Sequence, residues 1–203
     1  MLKVKKQPYN SVWISADSQE ELGNTFIRFQ EFYESPNPNF LGKIFTLGVV
    51  RQWYSVKYGA DTYHHDWTGF NFPSRVLLPF KQGLFDPLTY EEIELLNLFK
   101  YRQDHFYIMG AQNEAVLRHE LSHALYDSNI KYKTEIDNYI AKNSKSLLKT
   151  KKYILGKGYS KEVINDEIQA YITDNDDPTI LKVTSSRTIL DINAIYDKYR
   201  KKK

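Results

Sequence analysis

One short segment carries residue types that could bind a metal ion and move a proton. It is the pentapeptide His119-Glu120-Leu121-Ser122-His123. Residues four apart lie one above the other on a helix, so His119 and His123 can each offer a ring nitrogen to one metal ion. Glu120 lies beside that face, where it can act as a general base on a metal-bound water. The segment therefore predicts half of a tetrahedral zinc site together with its base.

The helix that would carry this segment, from about residue 113 to 126, also has a core face. Its apolar residues fall on a stripe well away from the two histidines. They are Leu117, Leu121, Ala124 and Leu125. The core does not need the histidines, which favours a metal site. The alternative interpretation is a surface helix with two solvated histidines.

A downstream helix, at about 161–173 after a capping Ser160, offers a third ligand. Glu167 falls inside its apolar arc, and a carboxylate there is costly unless its charge is compensated. Zinc bound by two neutral imidazoles would compensate it. The set is then two histidines and Glu167, with an open position where a bound water has its pKa lowered to about 7. The alternatives for the third ligand are Asp166 and Glu162, which helical projection turns toward the polar side. The apolar arc consists of Val163, Ile164, Ile168, Ala170 and Tyr171.

Two segments together resemble a known class of enzymes. The string His-Glu-Leu-Ser-His-Ala-Leu-Tyr at 119–126, followed by Asn-Asp-Glu-Ile-Gln-Ala-Tyr at 165–171, resembles the gluzincin class of zinc metallopeptidases, which includes thermolysin-like and minimal members. The resemblance covers these two segments only. It implies a zincin-like fold, one zinc ion per chain held by His119, His123 and Glu167, and peptide-bond hydrolysis with Glu120 as the base. The 43 residues between His123 and Glu167 make a longer gap than in compact members.

The resemblance also implies two further parts of the site. An edge strand just before the motif helix would bind the extended substrate, and the predicted strand at 105–109 has that position. Such chemistry needs a donor that stabilises an oxyanion. Tyr171, one turn beyond Glu167, is the first candidate for this catalytic role, and Tyr126 and Arg187 are alternatives. A tyrosine at helical spacing is also typical of core packing.

Other residues near these motifs have simpler interpretations. His64 and His65 are adjacent, so their side chains point in different directions, and we expect them in a packed aromatic loop at 61–73. Arg118 and Asp127 flank the motif and could hydrogen bond to a ligand histidine from outside the metal site.

The remaining pattern predicts an α+β fold, mostly helical, with a small mixed sheet before the motif helix. Ser18 with Glu21, and Thr89 with Glu92, form capping-box pairs at two helix starts. The best strand candidate is at 105–109, and Gly110 is expected to close it. The other predicted elements are strands at 12–14 and 75–80, a helix from Thr46 to Gly59, and helices at about 134–143, 145–155 and from 188 onward.

Composition limits the class of protein. The 203 residues suit a single zincin-like domain at 1–203, with 1–100 as a possible N-terminal subdomain. The absence of cysteine excludes disulfides, a thiol nucleophile and thiolate-based zinc sites. The chain begins without the apolar run of a signal peptide and has no stretch of membrane-spanning length, so we expect a cytoplasmic protein without a membrane partner.

The motifs and composition leave three functions to consider for this protein. The first is a zinc metallopeptidase acting on a peptide or protein substrate. The second is a catalytically inactive zinc-binding domain that serves regulation or interaction, against which the retained Glu120 argues. The third is nucleic-acid binding through the lysines at 145–152 and the basic tail at 201–203. With 28 basic and 25 acidic residues mixed along the chain, and lysines spaced as on solvated helix faces, we expect no nucleic-acid partner. The oligomeric state is left open.

Overall fold

The computed structural model describes residues 1–174 and 176–200, so Asn175 and the basic tail at 201–203 lie outside the described residues. The fold is α+β and mostly helical with a small mixed sheet, which confirms the predicted fold class. The chain forms two compact units, Met1–Leu117 and Arg118–Lys203. The single domain expected from the chain length stays a prediction. No helix among the described residues is long and apolar enough to cross a membrane.

The N-terminal unit combines the sheet with five helices. Its strands are β1 (Lys3–Gln7), β2 (Ser11–Ser15), β3 (Gly69–Pro73) and β4 (Tyr107–Ala111). Its helices are α1 (Gln19–Glu34), α2 (Leu47–Tyr58), α3 (Tyr63–Asp66), α4 (Leu77–Lys81) and α5 (Tyr90–Leu98), with a 3-10 turn at Ser74–Val76.

The strand that precedes the motif helix lies inside the sheet. The strand order is β1-β2-β4-β3, and β4 pairs parallel with β2 and antiparallel with β3. All five of its residues are buried. The expectation that the strand at 105–109 is a substrate-binding edge strand is therefore wrong, because both of its edges are hydrogen bonded to other strands. Gly110 does not close the strand either, since the pairing continues to Ala111.

Gly110 has a packing role in β4. A Cβ atom at this position would lie 2.7 Å from the ring of Phe26, which crosses the strand from α1. The ring of Phe26 stacks on Phe70 of β3, with centroids 5.2 Å apart. Glycine is therefore needed where an aromatic side chain of α1 packs directly on the backbone of the sheet.

A buried ion pair joins α1 to α5. Arg28 and Glu92 are 2% and 0% exposed, and the Arg28 Nε donates to Glu92 Oε1 at 2.6 Å. The guanidinium also donates to the carbonyls of Phe85 and Pro87. Glu92 in turn accepts from the Thr89 amide, which completes the capping box predicted for α5. Burial of both charges is tolerable because their hydrogen bonds are satisfied within the protein.

Several N-terminal elements differ from the sequence predictions. The predicted strand at 75–80 is wrong, because these residues form the 3-10 turn and α4. A short apolar run fits a buried strand or a buried helix equally well. The predicted aromatic loop at 61–73 contains α3 and β3. Strand β1 was not predicted, because its residues are mostly exposed and charged and lack an alternating apolar pattern.

The C-terminal unit is helical. Helix α6 (Glu114–Ser128) begins before the boundary between the units and carries the histidine motif. The following helices are α7 (Ile130–Lys142), α8 (Leu148–Gly156), α9 (Ile164–Asp174), α10 (Pro178–Val183) and α11 (Ser186–Arg200). Helix α9 begins later than predicted, so Ser160 is not its cap and Val163 precedes it. Helix α10 was not predicted.

Two features of this unit hold the helices near the motif. Asn129 is the only residue between α6 and α7, and its side chain caps α7 by accepting from the amides of Lys131 and Tyr132. Helix α9 packs against α7, α8 and α11. Its core-facing residues Ile168 and Ile172 are fully buried. Helix α6, which carries the motif, is thus followed almost directly by α7. Helix α7 packs on α9, the helix that bears Glu167.

Candidate metal centre

The two predicted histidine ligands lie on one face of α6. Their ring centroids are 4.9 Å apart. The side chain of His119 is 14% exposed and that of His123 is 1% exposed. On the same helix Leu117, Ala124 and Leu125 are buried, and Leu121 is half-buried. The predicted separation of a core face from a histidine face follows from this helical spacing.

Glu167 on α9 meets both histidines. Its Oε2 lies 3.9 Å from His119 Nε2, and its Oε1 lies 3.7 Å from His123 Nε2. One ligand atom from each of the three residues lies within 4.8 Å of the other two. In a tetrahedral zinc site with bonds of about 2.0–2.1 Å, ligand atoms are about 3.3–3.5 Å apart. The three side chains could therefore hold a metal ion once their ligand atoms draw together by up to about 1.5 Å.

The hydrogen bonding of these side chains fits such an ion. His123 Nε2 and Glu167 Oε2 are buried, and neither has a hydrogen-bond partner within the part of the chain that the structure describes. Buried polar atoms are normally hydrogen bonded, and leaving them unsatisfied costs free energy. A cation bound by these atoms would remove that cost. The donors are two imidazoles and one carboxylate, a set that suits zinc.

The electrostatics of the His119, His123 and Glu167 cluster also favour a bound cation. Burial, followed by the charges of His123 and Lys157, lowers the pKa of His119 well below its usual value, so that ring is neutral. Burial alone would lower the pKa of His123, but the carboxylates of Asp166, Glu167 and Glu120 outweigh it and raise that pKa. Burial raises the pKa of Glu167. The charged form of Glu167 is thus disfavoured in the metal-free cluster, and a bound cation would favour it.

Asp166 corrects one prediction about this site. Helical projection turned it toward solvent, but its side chain is only 16% exposed, and its Oδ1 lies 2.8 Å from His123 Nδ1. It therefore contacts the nitrogen of His123 that faces away from Glu167. Glu162, the other alternative ligand, is exposed and precedes α9. Of the three acidic candidates, Glu167 is the one grouped with the Nε2 atoms of both histidines.

Glu120, the predicted base, is buried within the same cluster. It is 3% exposed, and its charge raises the pKa of His123. It is not one of the three residues whose ligand atoms group together. This matches a carboxylate that lies beside a metal site without completing it.

Tyr171, the predicted oxyanion donor, lies against His119. The two rings meet edge to face with centroids 4.9 Å apart. The hydroxyls of Tyr171 and Tyr159 are 3.2 Å apart, and Lys157 Nζ lies 5.2 Å from the Tyr171 ring. Burial raises the pKa of Tyr171 to about 12, so its hydroxyl keeps its proton at neutral pH. It can therefore act as a hydrogen-bond donor.

The alternative donors have other partners. The Tyr126 hydroxyl donates to Asp137 Oδ1 at 2.6 Å, and Arg187 is a largely exposed side chain paired with Asp191. Arg118, predicted as a possible partner of a ligand histidine, donates to the carbonyl of Thr173. It thereby ties α6 to α9 instead.

The histidine pair in the N-terminal unit lies on α3, not in a loop. The rings of His64 and His65 are in contact, with centroids 4.1 Å apart. Within residues 1–174 and 176–200, the His119, His123 and Glu167 group is the one whose atoms come close enough for a metal. The interpretation of His64 and His65 as packing residues stays a prediction.

Asp174 is a further acidic residue near the histidines, and the sequence motifs did not indicate it. Its Oδ2 lies 3.8 Å from His119 Nδ1, and burial raises its pKa to about 6. It follows Glu167 by seven residues, or two helical turns, so the helical period that placed Glu167 on the inner face would also have placed Asp174 there.

Comparison with known proteins adds no further assignment. No protein family, no curated protein and no solved structure matches this chain.

Proposed function

We propose that this chain is a zinc-dependent peptidase of the gluzincin type, with His119, His123 and Glu167 as the metal ligands. The proposal depends on one observation above all. Two helices, α6 and α9, bring two imidazole nitrogens within 3.7–3.9 Å of the oxygens of one buried carboxylate. A surface helix with solvated histidines would not place them in a buried cluster of carboxylates.

The donor set defines the chemistry available to the site. When bound by two histidines and a glutamate, zinc supplies Lewis acidity, which polarises a carbonyl oxygen and acidifies water. The protein must then provide a base, and Glu120 is a buried carboxylate next in sequence to His119 that does not join the three ligands. Its position in the cluster supports catalysis, since a domain that only binds zinc needs the ligands but not this carboxylate.

Glu120 moves the proton in the proposed reaction. Its carboxylate takes a proton from the attacking water, and the water oxygen forms a bond to the carbonyl carbon of the peptide. The carbon–nitrogen bond then breaks, and the proton held on Glu120 passes to the leaving amine. The products are a carboxylic acid and an amine, which become a carboxylate and an ammonium group when the acid proton passes to the amine, and Glu120 is returned to its starting state.

Tyr171 is proposed to stabilise the oxyanion that forms on the former carbonyl oxygen. Its ring contacts the ligand His119, and its raised pKa keeps the hydroxyl protonated. A donor already in place when charge develops is effective because it needs no reorganisation.

Metal content and peptide cleavage test the proposal together. Purified without chelator, the protein should contain close to one zinc ion per chain and cleave members of an unstructured peptide library. Glu120→Gln should retain zinc but lose activity by about 100-fold or more, because the amide keeps the shape of the side chain and cannot accept the proton. The matched control is Glu162→Gln, which changes an exposed glutamate in the same way.

The outcomes separate the possible functions. Zinc binding without cleavage of any peptide would favour an inactive zinc-binding domain. Full activity of Glu120→Gln would exclude Glu120 as the base, and retention of full zinc by His119→Ala and His123→Ala would exclude the site itself.

A further inference from the structure

A chain of largely buried, hydrogen-bonded polar side chains leads away from His123 Nδ1, the ring nitrogen that faces away from Glu167. The Tyr132 hydroxyl donates to Gln169 Oε1 at 2.6 Å, and Gln169 Nε2 donates to Asp166 Oδ1 at 2.9 Å. The same Asp166 oxygen lies 2.8 Å from His123 Nδ1. The chain thus runs from α7 through α9 to a predicted ligand on α6.

The outer end of this chain is firmly held. Tyr132 and Gln169 are both fully buried. The Tyr132 ring meets those of Tyr126, Tyr196 and Tyr199 at centroid distances of 5.7–6.4 Å. Few alternative positions are open to a tyrosine packed on three sides, so its hydroxyl is a fixed donor.

Only one assignment of donors and acceptors is possible along this series of side chains. An ionised carboxylate accepts hydrogen bonds and cannot donate, so Asp166 must face the NH2 group of Gln169. The amide oxygen of Gln169 then faces Tyr132, whose hydroxyl must donate to it. Without that hydroxyl, the buried amide oxygen of Gln169 loses its hydrogen-bond donor. The Gln169 amide then has a weaker preference for the orientation in which its NH2 group faces Asp166.

The inner end of the chain acts on the metal site. Asp166 Oδ1 lies 2.8 Å from His123 Nδ1, so a neutral His123 ring would keep its proton on Nδ1 and direct the Nε2 lone pair to the side of Glu167. A carboxylate in this position fixes both the tautomer and the ring orientation of a metal-binding histidine.

We propose that Tyr132 and Gln169 are positioning residues that hold Asp166, and through it the ring of His123, in the orientation that binds the metal. The inference rests on the proposed metal site and deepens it. Neither residue belongs to the group of three predicted ligands, and their hydrogen bonds lead to that group through Asp166. Loss of a partner one step outside the ligands costs roughly 10- to 100-fold in metal affinity, and Tyr132 lies further out, so about tenfold is expected.

The primary test is Tyr132→Phe, which removes the hydroxyl and keeps the packed ring. Zinc affinity is measured by competition with a chromophoric chelator, and ligand geometry by the visible absorption of the Co(II)-substituted protein. Tyr132→Phe should bind zinc about tenfold more weakly and show a changed Co(II) spectrum. The matched control is Tyr139→Phe, which removes from the same helix a hydroxyl bound to Asp191. It should keep zinc affinity within twofold and leave the spectrum unchanged.

A double-mutant cycle tests the order of the chain. Gln169→Met has a side chain of similar length that cannot join the two hydrogen bonds, so it should weaken zinc binding at least as much as Tyr132→Phe. Because Tyr132 acts through Gln169, the double variant should bind zinc no more weakly than Gln169→Met alone. Additive losses, or zinc affinity of Tyr132→Phe within twofold of the wild type, would overturn the inference.

The experiment also separates this inference from the proposed function. If the wild-type protein binds zinc but cleaves no peptide, the peptidase proposal fails, while the zinc affinities of the variants still decide the role of Tyr132 and Gln169. If the wild-type protein binds no zinc, both proposals fail.

Discussion

Replacement of Glu167 by glutamine should have opposite effects on the stability of the protein with and without zinc. The amide preserves the volume of the side chain but removes the negative charge with which Glu167 would bind the metal. Without metal, wild-type Glu167 is a buried carboxylate whose pKa is raised by burial, which disfavours its charged form. Glu167→Gln carries no such charge, so we expect the metal-free variant to be at least as stable as the metal-free wild type.

With zinc, the wild type should be more stable than Glu167→Gln. Loss of a direct ligand should weaken zinc binding at least 100-fold, since loss of an outer partner alone costs roughly 10- to 100-fold. At a free zinc concentration 100 times the wild-type Kd, binding stabilises the wild type by about 2.7 kcal/mol. At the same concentration a 100-fold weaker variant gains about 0.4 kcal/mol. The difference, about 2.3 kcal/mol, corresponds to roughly 5–9 °C in Tm for a chain of this length.

Thermal unfolding followed by circular dichroism measures this difference. Each protein is melted in excess chelator and again at a buffered free zinc concentration, and the zinc-induced rise in Tm is compared. Glu162→Gln is the control, because it makes the same chemical change at an exposed position and should behave as the wild type. An equal zinc-induced rise in Glu167→Gln and the wild type would show that Glu167 is not a ligand.

Three further predictions concern other parts of the chain. Arg28→Met should destabilise the protein by about 3–5 kcal/mol in urea unfolding, because Glu92 would retain a buried charge without its partner. Gly110→Ala should cost about 1–3 kcal/mol in the same assay, since the new methyl group would overlap the Phe26 ring. Tyr171→Phe should lower peptide turnover by about 100- to 1,000-fold while zinc content is unchanged.

Each of these has a matched control. Arg51→Met removes a partly exposed arginine paired with Asp61 and should change the free energy of unfolding by less than about 1 kcal/mol. Gly48→Ala adds a methyl group where no atom lies within 4 Å and should not destabilise the protein. Tyr153→Phe removes a hydroxyl bound to Asp177 and should leave turnover near that of the wild type. A variant that behaves like its control would contradict the corresponding prediction.

The three predicted ligands could be identified because helical period fixes the face of each helix on which they lie, and the gluzincin resemblance implies that the two helices meet. Two histidines four residues apart share a face on any helix, and the apolar neighbours of Glu167 showed which face of α9 is buried. That these residues bind zinc stays a prediction. Asp166 was misplaced because a helical projection describes one helix only. It does not show that α6 lies close enough for His123 to meet a side chain at the border of the apolar face.

The sheet was harder to predict because strand order depends on pairing between distant segments. Residues 105–109 were predicted as a strand, but only the pairing of the observed strand β4 with β2 and β3 shows that this strand is internal. Strand β3 was hidden by the glycine, asparagine and proline in its sequence, residues that are typical of loops. It is held as a strand by its pairing with β4 and by the packing of Phe70 and Phe72 against α1.

The single-residue junction between α6 and α7 has a consequence for sequence searches. Because Asn129 alone separates the helices, one inserted or deleted residue would turn Tyr132 by about 100° around α7 and carry its hydroxyl away from Gln169. The nine-residue step from His123 to Tyr132 is thus a fixed length, whereas these hydrogen bonds set no length for the stretch between α7 and α9. Proteins that share this arrangement should combine His-Glu-x-x-His, eight residues and Tyr with a later Asp-Glu-x-Gln, a pattern far more selective than the pentapeptide alone.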